Sequence, residues 1–217
     1  MTSKKNVLIW DWNGTLLNDA MICLQGINLV IEKRNLPPLS MERYRQIFTF
    51  PVKNYYQAAG FNFENEPFEI PAEEFISHYK RLLPLAGLFS DVVETLDYFK
   101  KMGFRQFIVS AMEQQALAES VNERGIYQFF EAIWGIENNL AYSKINRAKK
   151  LMAHFEIDPT QALFVGDTLH DAEVSNEIEV EIVFITRGHQ SPERLSQNGN
   201  LHFPDLASFK MAFDSIV

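Results

Sequence analysis

Asp11-Trp12-Asn13-Gly14-Thr15 puts a carboxylate, a carboxamide, a glycine and a hydroxyl directly behind the apolar run Val7-Leu8-Ile9-Trp10. A run of that kind predicts a buried strand, Gly14 lets the chain bend sharply after it, and amides exposed in such a turn can receive an anion. A carboxylate held at this point is available as a nucleophile. Three further places carry related chemistry. Phe107-Ile108-Val109 leads into Ser110-Ala111, Leu163-Phe164-Val165 leads into Gly166-Asp167-Thr168-Leu169-His170-Asp171, and Lys144 follows a third apolar segment that begins near Ala132. A strand-end serine, a lysine or a Gly-Asp turn is commonplace alone. The set becomes informative only if the fold brings it together.

The elements that must do so can be read from the pattern. From Leu16 to Leu36 apolar residues recur at helical spacing, through Leu17, Met21, Leu24, Ile27 and Ile31, until Pro37-Pro38 stops the helix. Helices are expected next over Met41 to Phe48, Lys53 to Ala59 and Pro71 to Leu83, the last ended by Pro84. After residue 87 strand and helix alternate. Strands are expected at Phe104 to Ser110, Ala132 to Gly135, Ala162 to Val165 and Glu181 to Ile185, with helices near Asp91 to Met102, Glu113 to Arg124, Asn146 to Phe155 and Asp171 to Glu177. That alternation predicts an α/β fold, a parallel sheet with helices on both faces. Ligands bind outside the carboxyl ends of the strands of such sheets, so all four places are expected along one sheet edge.

Composition sets outer bounds. A chain of 217 residues is long enough for one well-packed core and a smaller attached unit. Its formal charge of -8 argues against a general binder of nucleic acid or of anionic membranes, because phosphate backbones are held mainly by Lys and Arg. Met1 to Asn6 holds two lysines ahead of only a strand-length apolar stretch, and no later stretch approaches a membrane span, so a cytoplasmic location is expected. Cys23 is the sole cysteine, which excludes an internal disulfide and a cysteine-based zinc site. The aromatic excess, chiefly eighteen Phe, is read as core filling.

Taken in order, these motifs resemble those of the haloacid dehalogenase-like hydrolases, in particular phosphatases with a helical cap inserted directly after the first strand. Asp11 to Leu16 resembles the family's DxDGTL signature, Ser110 its second motif, Lys144 its third and Gly166 to Asp171 its fourth, while Leu85-Ala86-Gly87-Leu88 resembles the return from cap to core. Phe48-Thr49-Phe50-Pro51 is similar to a cap loop of the phosphoglycolate phosphatase-like subgroup. The resemblance implies a Rossmann-like core at residues 1–17 and 85–217 with a helical cap at 18–84. It also implies Mg2+-dependent hydrolysis of a small phosphorylated metabolite through an aspartyl-phosphate.

On that reading Asp11 attacks phosphorus, and Asp11, the backbone carbonyl of Asn13 and Asp167 hold Mg2+, with Asp171 behind them or acting through water. Gly14, Thr15, Ser110, Ala111 and Lys144 cradle the phosphate, and Arg45, Phe50, Lys53 and Tyr56 of the cap, with Arg43 nearby, meet the rest of the substrate. No nucleic-acid or membrane partner is expected, and the state is a monomer or weak homodimer.

Asn13 departs from the family pattern, where an Asp protonates the leaving alkoxide and later activates water. A carboxamide cannot shuttle a proton at neutral pH, and loss of such help costs about 10²- to 10⁴-fold in rate. Several readings stay open on the sequence. The enzyme uses good leaving groups or recruits His170 or His189 as the base; the chain is an Asp-to-Asn variant that traps an intermediate; or the protein binds a phosphorylated ligand with weak or no catalysis. Dehalogenation at carbon also dispenses with the second Asp, but it needs no Mg2+, whereas the acidic fourth motif is intact. Phosphonate cleavage requires an imine-forming cap lysine, for which Lys53 is the candidate.

Overall fold

The computed structural model describes residues 5–137 and 143–216; the amino-terminal segment up to Lys4, read above for targeting, lies outside the described residues. Among these residues six strands, β1 (Val7–Trp10), β2 (Arg105–Glu113), β3 (Ala132–Ile136), β4 (Ala162–Gly166), β5 (Glu181–Ile185) and β6 (Leu201–Phe203), form one all-parallel sheet in the order β3-β2-β1-β4-β5-β6. β1 is central because all four of its side chains are buried. Leu8 and Trp10 join the apolar cluster on one face, Val7 and Ile9 that on the other. Side chains alternate between faces along a strand, so a strand covered on both sides has to be a continuous apolar run.

Between β1 and β2 the chain forms α1 (Ala20–Glu32), α2 (Met41–Ile47), α3 (Val52–Ala58) and α4 (Glu69–Leu82), then α5 (Val92–Lys101). The remaining helices are α6 (Gln114–Glu123), α7 (Ser143–His154), α8 (Leu169–Glu177), α9 (Pro192–Ser196) and α10 (Leu206–Ile216). α5, α6 and α10 cover one face of the sheet through Leu96, Phe99, Leu117, Val121, Phe209 and Phe213. α7 and α8 cover the other through Leu151, Met152, Ala172 and Val174. α1 to α4 have an apolar cluster of their own, in which Ile27, Val30 and Ile31 meet Tyr44, Tyr55 and Tyr56 with Phe75 and Tyr79 against them. The aromatic residues fill two cores, that of the sheet and that of this helical layer.

Two boundaries near Asp11 differ from expectation for local reasons. α1 starts at Ala20 and not at Leu16, because the Gly14 amide donates to the Leu17 carbonyl (2.9 Å) and closes a tight turn. The next residues are clasped to the chain returning from α4: Leu17 pairs antiparallel with Leu88, and the Asn18 amide donates to the Gly87 carbonyl (2.9 Å). β2 runs past Ser110 to Glu113 with a register irregularity between Val109 and Glu113, so Ser110 sits at an irregular point and not at a strand end. β6, α9 and α10 had no counterpart in the expected elements. No helix among the described residues is long and apolar enough to cross a membrane.

The loop after β5 is fixed by Arg187, whose guanidinium donates two bonds to Asp91 (2.7 and 2.8 Å) while lying 3.8 Å from the centre of the Phe89 ring. Asp91 also accepts from the Leu206 and Ala207 amides at the start of α10. Asp91→Asn is expected to destabilise the protein by about 2 kcal/mol through loss of charge-assisted bonds, lowering the urea midpoint at unchanged slope.

Candidate active site

β1 delivers Asp11 to the sheet edge between β2 and β4, where its amide donates to the Val165 carbonyl (2.8 Å). This is the point where the strand order reverses, the place where open α/β sheets form a crevice. Lys144, at the start of α7, reaches across to it: Nζ lies 2.5 Å from Asp11 Oδ1 and 2.5 Å from Asp171 Oδ1. Asp171 is held by its own helix. Thr168 and Asp171 form a reciprocal capping box at the start of α8, the Thr168 amide donating to Asp171 Oδ2 at 2.9 Å. Asp167 accepts from Thr15 Oγ1 (3.1 Å) and from the His189 amide (2.6 Å). Gly14 adopts φ +75°, and a Cβ there would collide with the Asp167 carboxylate and the His189 ring. Turn and close approach together therefore demand glycine.

Asp11, Asp167 and Asp171 are buried and offer carboxylate oxygens within 4.8 Å of one another. Burial, with Asp171 and Asp167 beside it, drives the Asp11 carboxyl well above the usual carboxylate range against the opposing pull of Lys144. Burial likewise pushes Asp167 up to about 6. Burial would raise Asp171 too, but Lys144 and Thr168 hold it below its ordinary value. Three buried carboxylates thus face one ammonium. An all-oxygen donor set with surplus negative charge suits a hard divalent cation such as Mg2+.

Around Asn13 lies a second network. Its Nδ2 donates to Asp19 Oδ2 (2.8 Å) and lies 2.8 Å from Tyr79 Oη, which itself donates to Asp19 Oδ2 at 2.8 Å. His189 Nε2 is 3.2 Å from Asp19 Oδ1, and its Nδ1 is 2.7 Å from Tyr44 Oη. Burial works to lower the His189 pKa, but Asp19 and Asp167 raise it to about 9, and Asp19 is lowered by the pairing in spite of its own burial. A carboxylate paired with an imidazolium therefore stands beside the carboxamide.

The sequence-predicted residues divide on placement. Asp11, Asn13, Ala111, Lys144, Asp171, Phe50 and Tyr56 line one cavity of 290 Å³ between the sheet edge and α2 to α4. Ser110 is buried beside it, its Oγ accepting from the Met112 amide (3.0 Å) and lying 3.4 Å from Asn13 Oδ1. The Gly14 amide is already committed to Asp19 Oδ1 (3.0 Å) and to Leu17, and the Thr15 hydroxyl to Asp167, so neither of these two groups is free for phosphate.

Arg45 and Lys53 need correction. The Arg45 guanidinium donates to the Gly188 and Arg187 carbonyls (2.9 and 2.6 Å), tying α2 to the loop after β5. Lys53 is exposed with Nζ 5.6 Å from the centre of the Phe63 ring, and Arg43 is exposed. Neither Arg45 nor Lys53 lines the cavity. The two histidines are not solvent-facing: His170 stacks on Phe50 (4.6 Å between ring centres) and bonds Glu173, and His189 is buried in the network above. Asp19, Tyr79, Tyr44 and Gln190 escaped the sequence reading. Gln190 accepts from the Leu169 amide (2.8 Å) and donates to the Phe48 carbonyl (2.9 Å), bridging the two layers. The one available signal was a second acid, Asp19, close behind the first turn.

A family model described as haloacid dehalogenase-like hydrolase matches residues 8–185. The chain is 24% identical over 190 residues to an N-acetylmuramic acid 6-phosphate phosphatase of Pseudomonas aeruginosa, covering 86% of this chain and 84% of that one. It is 25% identical over 197 residues to a phosphoglycolate phosphatase of Nitrosococcus oceani, covering 87% of each. Its fold is similar to that of a haloacid dehalogenase-like family hydrolase from Streptococcus pneumoniae, with a TM-score of 0.79, 17% identity and coverage of 91% and 92%.

Proposed function

The chain belongs to the haloacid dehalogenase-like hydrolase family, and from that premise we propose that it is a Mg2+-dependent, phosphoglycolate phosphatase-like enzyme that hydrolyses a small phosphorylated metabolite in the cytoplasm. The observation that carries the reading is the buried Asp11 carboxylate with Lys144 at 2.5 Å and Asp167 and Asp171 beside it. Relatives named as phosphatases support the reaction class.

Asp11 attacks phosphorus through a carboxylate oxygen; the bond from phosphorus to the ester oxygen breaks, and its electron pair leaves on that oxygen. Water then cleaves the aspartyl-phosphate to free phosphate and regenerate Asp11. Lys144 pulls Asp11 toward its ionised, nucleophilic form against the effect of burial and balances phosphoryl charge, while Ser110 and the backbone near Ala111 orient the phosphoryl oxygens. Asp11, the Asn13 carbonyl and Asp167, with Asp171 in support, would hold Mg2+, which when bound neutralises the phosphoryl charge that these acids would otherwise repel. Residues 18–84 act as a cap that excludes water during the transfer.

The carboxylate trio favours phosphoryl transfer over metal-free dehalogenation, and the exposed position of Lys53 away from the cavity disfavours an imine mechanism. Hydrolysis of phenyl phosphate is expected to fall to background in excess chelator and to return with added Mg2+. Full activity in chelator, or turnover of 2-haloacids without metal, would overturn the proposal.

A further inference from the structure

The cavity beside Asp11 is built of two unlike halves. Its floor is polar, with Asp11, Lys144 and Asp171, while the helical layer contributes Phe48, Phe50, Tyr55, Tyr56, Phe75 and Tyr79. These rings are packed against one another: Phe48 meets Phe50 and Tyr55 edge to face at 5.6 and 5.3 Å. Among the described residues, Lys80 is the one Lys or Arg that α1 to α4 bring to the wall, and it is exposed. The buried cation of the wall, His189, is already paired with Asp19, so a carboxylate on the leaving group would be enclosed by aromatic rings without an uncommitted counter-charge, which is strongly disfavoured. The volume is 290 Å³, compared with about 150 Å³ for a dry protein cavity that admits benzene. With a phosphoryl group at Asp11, one substituted six-membered ring fills the remainder. Two buried polar atoms of wall residues, Tyr55 Oη and His170 Nε2, have no partner among the described residues, and a polar ring substituent would satisfy either.

We propose that the substrate is an aryl phosphomonoester, its ring seated among Phe48, Phe50, Tyr55 and Phe75 and its phosphoryl group at Asp11; the inference rests on the phosphatase reading. The same substrate class removes the difficulty posed by Asn13. When the bond between phosphorus and the ester oxygen breaks, its electron pair departs on a phenolate, whose conjugate acid has a pKa of about 10, so no proton need be delivered in the transition state. An alkoxide has no such independence.

Binding of non-hydrolysable phosphonates separates recognition from leaving-group reactivity. Calorimetric titration of the whole chain in Mg2+ buffer would compare benzylphosphonate with phosphonopropionate, a mimic of phosphoglycolate, and with trimethylammonioethylphosphonate, which tests the aromatic wall as a cage for a cation. Benzylphosphonate is expected to bind tighter than either by about tenfold to a hundredfold, the gain from burying one ring. Phe75→Ala should lose most of that margin, and Ile76→Lys, which brings a cation to the wall, should narrow it against phosphonopropionate. Equal affinities, or preference for either of the other two ligands, would overturn the aryl proposal. Phosphate release that depends on Asp11 but shows no ring preference would overturn this inference alone. No release from any ester of an aryl, alkyl and acyl phosphate panel would overturn the phosphatase reading beneath it.

Discussion

Asp11→Asn is expected to abolish turnover, lowering kcat by at least about 10⁴-fold, because an amide cannot take the place of a carboxylate nucleophile. The substitution is nearly isosteric and leaves Lys144 paired with Asp171 at 2.5 Å, so the protein should remain folded. Phosphate release from phenyl phosphate and a thermal melt, measured on the same preparation, distinguish chemistry from stability. Turnover within tenfold of the unmodified enzyme, from a folded variant, would mean that another group attacks phosphorus.

The second large effect belongs to Asn13, and the structure changes what the test should be. Asn13→Asp alone would set a carboxylate oxygen against Asp19 Oδ2, where the carboxamide nitrogen now lies at 2.8 Å. Two carboxylates that close cannot both ionise freely, so the single variant is expected to gain little. Asn13→Asp combined with Asp19→Asn exchanges the acid and the amide and keeps a hydrogen bond between them. That exchange should accelerate hydrolysis of alkyl phosphates by about 10²- to 10⁴-fold, the usual worth of general acid-base help, with a much smaller effect on aryl phosphates. An unchanged ratio of alkyl to aryl rates would assign proton transfer to another group. If the exchanged variant, folded and with Mg2+ bound, released no phosphate from any ester, a ligand-binding role would replace the enzymatic one.

What could be read in the sequence follows from how locally each feature is encoded. The central strand announces itself because Val7 to Trp10 is buried on both faces, and the capping box around Asp171 is written within four residues. The Asn13 environment is not local. Asp19 is close by, but Tyr79 and His189 come from distant parts of the chain, and His189 lies 170 positions from the acid it pairs with. Arg45 and Lys53 carried the right charge for an anionic substrate, but their partners, two backbone carbonyls and the Phe63 ring, are set by tertiary packing alone. β6 was missed because three residues on a sheet edge, two of them exposed, leave no periodic signal.

The clasp between Leu17-Asn18 and Gly87-Leu88 bears on how the chain reaches this structure. β1 must find β2 across all of α1 to α5, and joining the ends of so long a segment would ordinarily delay that pairing. Once the two ends of the helical layer are zipped together, the excursion is closed on itself and β1 and β2 are separated, in effect, by little more than α5. The central pairing of the sheet then behaves as a near-neighbour contact. Removing the clasp would therefore be felt first in the folding rate, with Asp11 reaching its place late.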